Sequence, residues 1–174
     1  MNSYNYDEAR NHIKDGDIIA LSHYKWASWY DLQVQFVRIF TRSEYCHVGQ
    51  VWSVGGRLFM LEAVRPKVRM VPLSQFAAEG FYWISAGVDM SKNELNLALS
   101  KVGVAEYSRK QAILGGLNLL KIGQDRMEQC AEYVIANRRL SGVDLGNEAT
   151  PSAVVHAALS MGYPLRFVKG GGDA

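Results

Sequence analysis

Apolar residues recur with one period in the first half of the chain and another in the second, which divides it into strands followed by helices. Ile18-Ile-Ala-Leu21 follows the turn Lys14-Asp15-Gly16-Asp17 and reads as a short buried strand, and residues 5–14 before the break read as a short polar helix. Residues 26–40 place Trp29, Leu32, Phe36, Val37 and Phe40 at helical spacing, with Asp31, Gln35 and Arg38 towards the other side, predicting an amphipathic helix. Residues 47–54 and 58–64 are β-rich runs on either side of Gly55-Gly56-Arg57 and predict an antiparallel hairpin. Two further strands are expected over residues 67–73 and 81–84. Beyond Lys92 the period becomes helical, with helices expected over 93–99, 108–120, 125–140 and 151–159. The last of these has Thr150 as its cap and Pro151 at its first position. A short strand over 165–168 returns to the sheet, and residues 170–174 form a flexible tail. Strands first and helices afterwards predict an α+β fold, an antiparallel sheet with the helices packed on one side.

The length of 174 residues suits one domain with one well-buried core. A hydrophobic content of 48% with 21% charged residues is that of a folded globular chain. The formal charge is only +2, and its basic residues cluster no further than Arg65-Pro-Lys67-Val-Arg69 and Arg138-Arg139, so no nucleic-acid partner is expected. No stretch reaches the roughly 18 apolar residues of a membrane span, and the N-terminus has neither the basic nor the apolar region of a signal peptide. A chain without an integral membrane segment is therefore expected, either cytoplasmic or released or virion-associated. Cys46 and Cys130 are the two cysteines, and neither lies in a CxxC or a paired His/Cys zinc spacing. No metal and no cofactor are expected.

Cys130 carries the most informative chemistry. Asp125 and Glu128 have capping-box spacing, which would start a helix at Asp125 and put Cys130 in its second turn. Unpaired N–H groups at a helix start favour a thiolate over a thiol with the ordinary pKa of about 8.5. The same residue also reads as a small buried hydrophobe. Of the four histidines, His47 opens a strand directly after a loop, where its side chain can stand at the sheet's end and face a helix packed across it. His12 and His156 fall in helical segments as surface or filler residues, and His23 is a weaker rival. Cys46 adjoins His47, but neighbours on an extended chain point to opposite faces. Glu62 interrupts the apolar run 58–64 on the strand expected to pair with that of His47. It either orients the imidazole or points to solvent as an alternate strand residue.

Gly16-Asp17-Ile-Ile19, Cys46-His-Val-Gly49, Leu61-Glu-Ala63 and Cys130-Ala-Glu-Tyr-Val134, in that order, resemble the circularly permuted, papain-like branch of the NlpC/P60 superfamily. The resemblance covers residues 12–160. It implies a papain-like α+β fold, an antiparallel sheet or half-barrel with helices on one side, and a triad met along the chain as His47, Glu62, Cys130. It further implies a cysteine peptidase or amidase acting through an acyl-enzyme on Cys130, with a peptidoglycan stem peptide or related peptide as substrate. In this reading the Cys130 N–H is the first oxyanion donor and Tyr24 the second, while Tyr107 in Gly103-Val-Ala-Glu-Tyr107 is a cleft residue. The chain departs from the family where Cys46 stands for the usual Ser and where Gln50 and Trp52 replace smaller apolar residues, changes that bear on packing. Two other readings remain open: a thiol acyltransferase or lipid-amide hydrolase of the lecithin retinol acyltransferase type, and a noncatalytic papain-like structural or binding module.

Overall fold

The computed structural model describes residues 3–22, 44–64, 67–104 and 119–170, with the side chains of the last stretch described from Gln129. The helix expected over 26–40 and most of that expected over 108–120 lie outside the described residues, as do His23 and the last four residues of the expected tail. The described elements run in the order β1 (Ser3–Asn5), α1 (Tyr6–Ala9), β2 (Ile18–Leu21), β3 (His47–Val54), β4 (Arg57–Val64), β5 (Lys67–Pro72), a 3-10 turn (Leu73–Phe76), β6 (Phe81–Ile84), α2 (Lys92–Ser100), α3 (Leu119–Arg139), α4 (Pro151–Ser160) and β7 (Leu165–Lys169).

All seven strands join one sheet in the order β1-β7-β6-β2-β3-β4-β5, antiparallel at every step except β1 with β7. β2 is central, and its four residues divide between the two faces: Ile18 and Ala20 enter one apolar cluster, Ile19 and Leu21 the other. That is why this strand reads as a continuous apolar run. The β3–β4 hairpin turns at Gly55-Gly56, as expected. β1 was not expected. Ser3-Tyr-Asn5 has no apolar alternation to announce a strand, and its pairing with β7 is supplied by tertiary context. The polar helix expected over 5–14 is reduced to the single turn of α1, whose cap Asn5 accepts from the Asp7 N–H at 3.0 Å.

The three long helices contribute to one cluster. From Gln129 to Arg139, α3 exposes only Glu132, Ala136 and Arg139, a single stripe at helical spacing, and buries the rest. Val154, Val155 and Ala158 of α4 and Ala98 of α2 complete this layer over Ile18, Val48, Leu61 and Tyr82 of the sheet. Ala9, Ile13 and Leu73, from α1 and the connecting turns, cover the opposite face at Ile19, Met60, Phe81 and Trp83. α4 begins as expected, with Thr150 Oγ1 accepting from the Ala153 N–H at 3.2 Å.

α3 differs from expectation in one respect that matters. It is already helical at Leu119, so Asp125 lies inside it rather than at its start. Leu119-Leu-Lys-Ile contains good helix formers, and an acidic pair three residues apart fits a helix interior as well as a cap.

Candidate functional site

His47 is the first residue of β3, opposite Leu21 of β2. The preceding Cys46 fixes the entry to the strand. Its N–H donates to the Leu21 carbonyl at 2.9 Å, and its thiol donates to the same oxygen at 3.3 Å. No disulfide joins Cys46 to Cys130.

The pairing of β3 with β4 runs from Val54↔Arg57 to Gln50↔Leu61, although β3 reaches back to His47 and β4 on to Val64. Past that point the two strands are registered with their outer neighbours, β3 with β2 and β4 with β5. Side chains take over the link: His47 Nε2 meets Glu62 Oε2 at 2.5 Å. Gly49 explains how β3 leaves β4 so tightly. A Cβ there would lie 2.7 Å from the Leu61 carbonyl oxygen and 2.6 Å from Met60 Cε, closer than a carbon can stand. The glycine two residues after the histidine is therefore a packing requirement of the strand that carries it.

Glu62 is 1% exposed, and its second oxygen is also occupied: Arg69, directly opposite on β5, donates its Nε to Oε1 at 2.6 Å. Burial pushes the carboxyl pKa up, but His47 and Arg69 more than offset this and hold it below the usual carboxylate range. Sequence reasoning missed Arg69, treating 65–69 only as a small basic group. The available signal was the symmetry of Glu62 and Arg69 about the β4–β5 connection, where Val64 pairs Lys67 and Glu62 therefore pairs Arg69.

Cys130 lies in the middle of α3, with its side chain closed off from solvent at 0% exposure. Two expectations are corrected here. The thiol is not at a helix N-terminus, so the helix dipole gives it no help. Its backbone N–H is committed to the preceding helical turn and is not available as an oxyanion donor. The neighbour that does reach it is His47, whose Nε2 hydrogen-bonds with Glu62 and whose imidazole interacts electrostatically with Cys130. With Nε2 engaged by Glu62, Nδ1 is the nitrogen left for the sulfur. Burial pushes the imidazole pKa down, yet the sulfur and the carboxylate on either side raise it well above the ordinary histidine value.

The structure thus brings Cys130, His47 and Glu62 together and adds Arg69. Tyr24 and Tyr107 lie outside the described residues. His12 and His156 are exposed, away from this cluster. Among the described residues no group of three or more His, Cys, Asp or Glu side chains is placed to hold a metal ion, and no helix is long and apolar enough to cross a membrane.

No family model and no curated protein matches the sequence. Among solved structures the chain is similar to the metalloprotein YiiX of Escherichia coli O157:H7, at 21% identity and a TM-score of 0.51, over 78% of this chain and 70% of that one. At that identity the likeness shows the fold alone: a mixed α+β architecture with the long helices on one side of the sheet.

Proposed function

We propose that the protein is a cysteine hydrolase that cleaves an amide bond through an acyl-enzyme on Cys130. The observation that carries this reading is the chain of contacts through one imidazole: Cys130 on one side of His47, and on the other a 1% exposed Glu62 held in turn by Arg69. A carboxylate buried between two cations keeps the Nε2–H tautomer of His47 and stabilises the imidazolium that forms when Nδ1 takes a proton.

In the reaction, the Cys130 proton passes to His47 Nδ1, and the resulting thiolate adds to the substrate carbonyl carbon. Collapse of the tetrahedral adduct expels the amine, which takes that proton from the imidazolium and leaves a thioester. Water then attacks the thioester with His47 as base, releasing the acid and restoring the thiol. The His47 side chain is 17% exposed, so its open edge marks the side from which a carbonyl reaches the otherwise enclosed sulfur. Activation rests on this base and not on a helix terminus. We read the chain order His47, Glu62, Cys130 as a permutation of the papain-like order, and the whole chain as a single domain. A peptidoglycan stem peptide or related peptide is the proposed substrate class, a choice supported by the family resemblance of the four motifs and by the fold.

The test is intact-mass spectrometry of the protein mixed with stem-peptide amides and simple acyl amides. Trapping of an acyl group on Cys130, with amine release lost in Cys130→Ala, is expected. Amine release that survives Cys130→Ala would overturn the reading. The apolar residues clustered around Cys130, among them Val48, Leu61 and Ala63, favour a second reading in which an acyl chain is passed to an acceptor other than water. The same spectra separate the two, since hydrolysis yields free acid and transfer yields an acylated acceptor.

A further inference from the structure

We propose that Gln50 and Asn137 are positioning residues: their hydrogen bond, anchored by the buried Glu94–Arg138 pair, sets the placement of Cys130 against His47. The inference rests on the reading of Cys130 and His47 as the reacting pair. Asn137 Nδ2 donates to Gln50 Oε1 at 3.0 Å, and Gln50 Nε2 donates to Glu94 Oε1 at 3.1 Å. Arg138 Nη1 donates to both Glu94 oxygens at 3.1 and 3.0 Å, and Ser141 Oγ also hydrogen-bonds to Oε2. Gln50, Glu94, Asn137 and Arg138 are all fully buried.

The spacing of these contacts matches that of the reacting pair. Asn137 follows Cys130 by seven residues on α3, two helical turns on the same face, a rise of about 10.5 Å. Gln50 follows His47 by three residues on β3, a rise of about 10 Å. Cys130 with His47 and Asn137 with Gln50 are two contacts between the same helix and the same strand in the same chain direction; Gln50 lies on the face that α3 covers, whereas His47, an odd number of residues away, reaches the helix from the strand's first position. A helix held to a strand at one point can slide and roll; held at two points, it can do neither. The second contact is needed because β3 loses its pairing with β4 beyond Gln50, leaving His47 on a stretch of strand supported by β2 alone. Gln50 is the last residue of β3 that both neighbouring strands hold, so it is the firmest place from which to register α3.

The anchor behind this contact is rigid. Arg138 Nη2 donates to the Val88 carbonyl at 2.8 Å, tying it to the segment before α2. Gly16 makes room for it, since a Cβ there would lie 2.2 Å from Arg138 Nη1. Ser91, the cap of α2, donates its N–H to Ser141 Oγ at 2.8 Å and its hydroxyl to the Leu140 carbonyl at 3.3 Å, both beyond the end of α3. α2, α3 and β3 are thereby locked at one polar centre, at the end of α3 remote from Leu119, while the thiol lies two turns back along the helix.

The test compares the pH dependence of Cys130 alkylation by iodoacetamide in wild type and Asn137→Leu, a near-isosteric change that removes the bond. In folded Asn137→Leu, labelling at pH 6 should slow by about tenfold or more and the midpoint should move towards the ordinary thiol value of about 8.5. Leu73→Ala, on the opposite face of the sheet, should lower the thermal midpoint without moving the labelling profile. This separates misplacement from loss of stability. If Asn137→Leu does not fold, Gln50→Met breaks the same bond from the strand side with an unbranched side chain, and its profile is read in the same way. A folded variant whose profile matches a wild type that labels at low pH would overturn the inference and leave the catalytic reading standing. A wild type that itself labels only near the ordinary thiol value would overturn both.

Discussion

Among the described residues two glutamates are buried, each bound by an arginine, and they behave differently. Glu94 and Arg138 are both 0% exposed, and the other groups on that carboxylate, Gln50 and Ser141, do not titrate. Glu62 divides its two oxygens between a 49% exposed Arg69 and an imidazole. The first arrangement is a closed hydrogen-bonded centre. The second has at one end an imidazole whose pKa is held well above the ordinary histidine value and, at the other, a guanidinium open to water. A carboxylate–arginine pair is thus not in itself a sign of chemistry; the titratable imidazole between the carboxylate and a thiol is. The comparison also separates what is asked of each cluster, since one must not move and the other must change charge without moving.

The sharpest way to break this contrast is to truncate each arginine in turn. Arg138→Ala leaves a fully buried carboxylate without its partner and should cost about 3–5 kcal/mol in denaturant unfolding. A cost near zero would mean that the centre is not the anchor described. Next in size is Glu62→Gln, which should slow Cys130 labelling at pH 6 by about tenfold to a hundredfold, because the imidazole loses the charge that stabilises its protonated form. Labelling unchanged in the folded variant would reduce Glu62 to a packing residue.

The two shifted groups also predict a pH dependence of stability. Glu62 has its folded pKa depressed, so its contribution is present above the ordinary carboxyl value of about 4.3 and is lost as pH falls through the folded value. His47 has its folded pKa raised, so its contribution is full below about 6.5 and is lost as pH rises through the folded value. Both contributions are complete between those pH values. Unfolding free energies measured across the pH range should show wild type gaining most over His47→Ala within that window and converging with it on the alkaline side. Convergence on the acid side alone would reverse the assigned sign for His47. The smallest effect belongs to Arg69→Ala, whose half-exposed ion pair should contribute only about 0–1 kcal/mol to stability. Its labelling profile should nevertheless shift, and added guanidinium should restore part of the loss. A large stability loss without a profile change would place Arg69 with Arg138 as a structural residue.

Much of the described sheet and of the helical half was legible in the sequence because each element carries its own periodicity or punctuation: Gly55-Gly56 between two apolar runs, Thr150-Pro151 before a helix, Phe81–Ile84 as an unbroken apolar strand. His47 and Glu62 stood out for a related reason, as polar residues at or inside strands that otherwise bury apolar side chains. Gln50 gave the same signal but was assigned to packing, since a neutral amide in a strand does not announce which partner it meets; its partners Asn137 and Glu94 come from helices far along the chain. Arg69 was legible only through strand register, as the residue placed opposite Glu62 across the β4–β5 connection, and not through its own residue type or its basic neighbours. The position of Cys130 within its helix was misjudged because Asp125 and Glu128 suit a helix start and a helix interior alike. Helix length is decided by what precedes them, and α3 is already helical at Leu119.

The measurement that tests the central claim most directly is the rate of Cys130 alkylation by iodoacetamide as a function of pH, read by mass spectrometry in wild type and in His47→Ala. The account predicts that wild-type labelling is already rapid below about pH 7 and that His47→Ala abolishes this low-pH labelling. Labelling of both proteins that rises only near the ordinary thiol value of about 8.5 would contradict it, leaving an α+β fold whose thiol is packed rather than reactive.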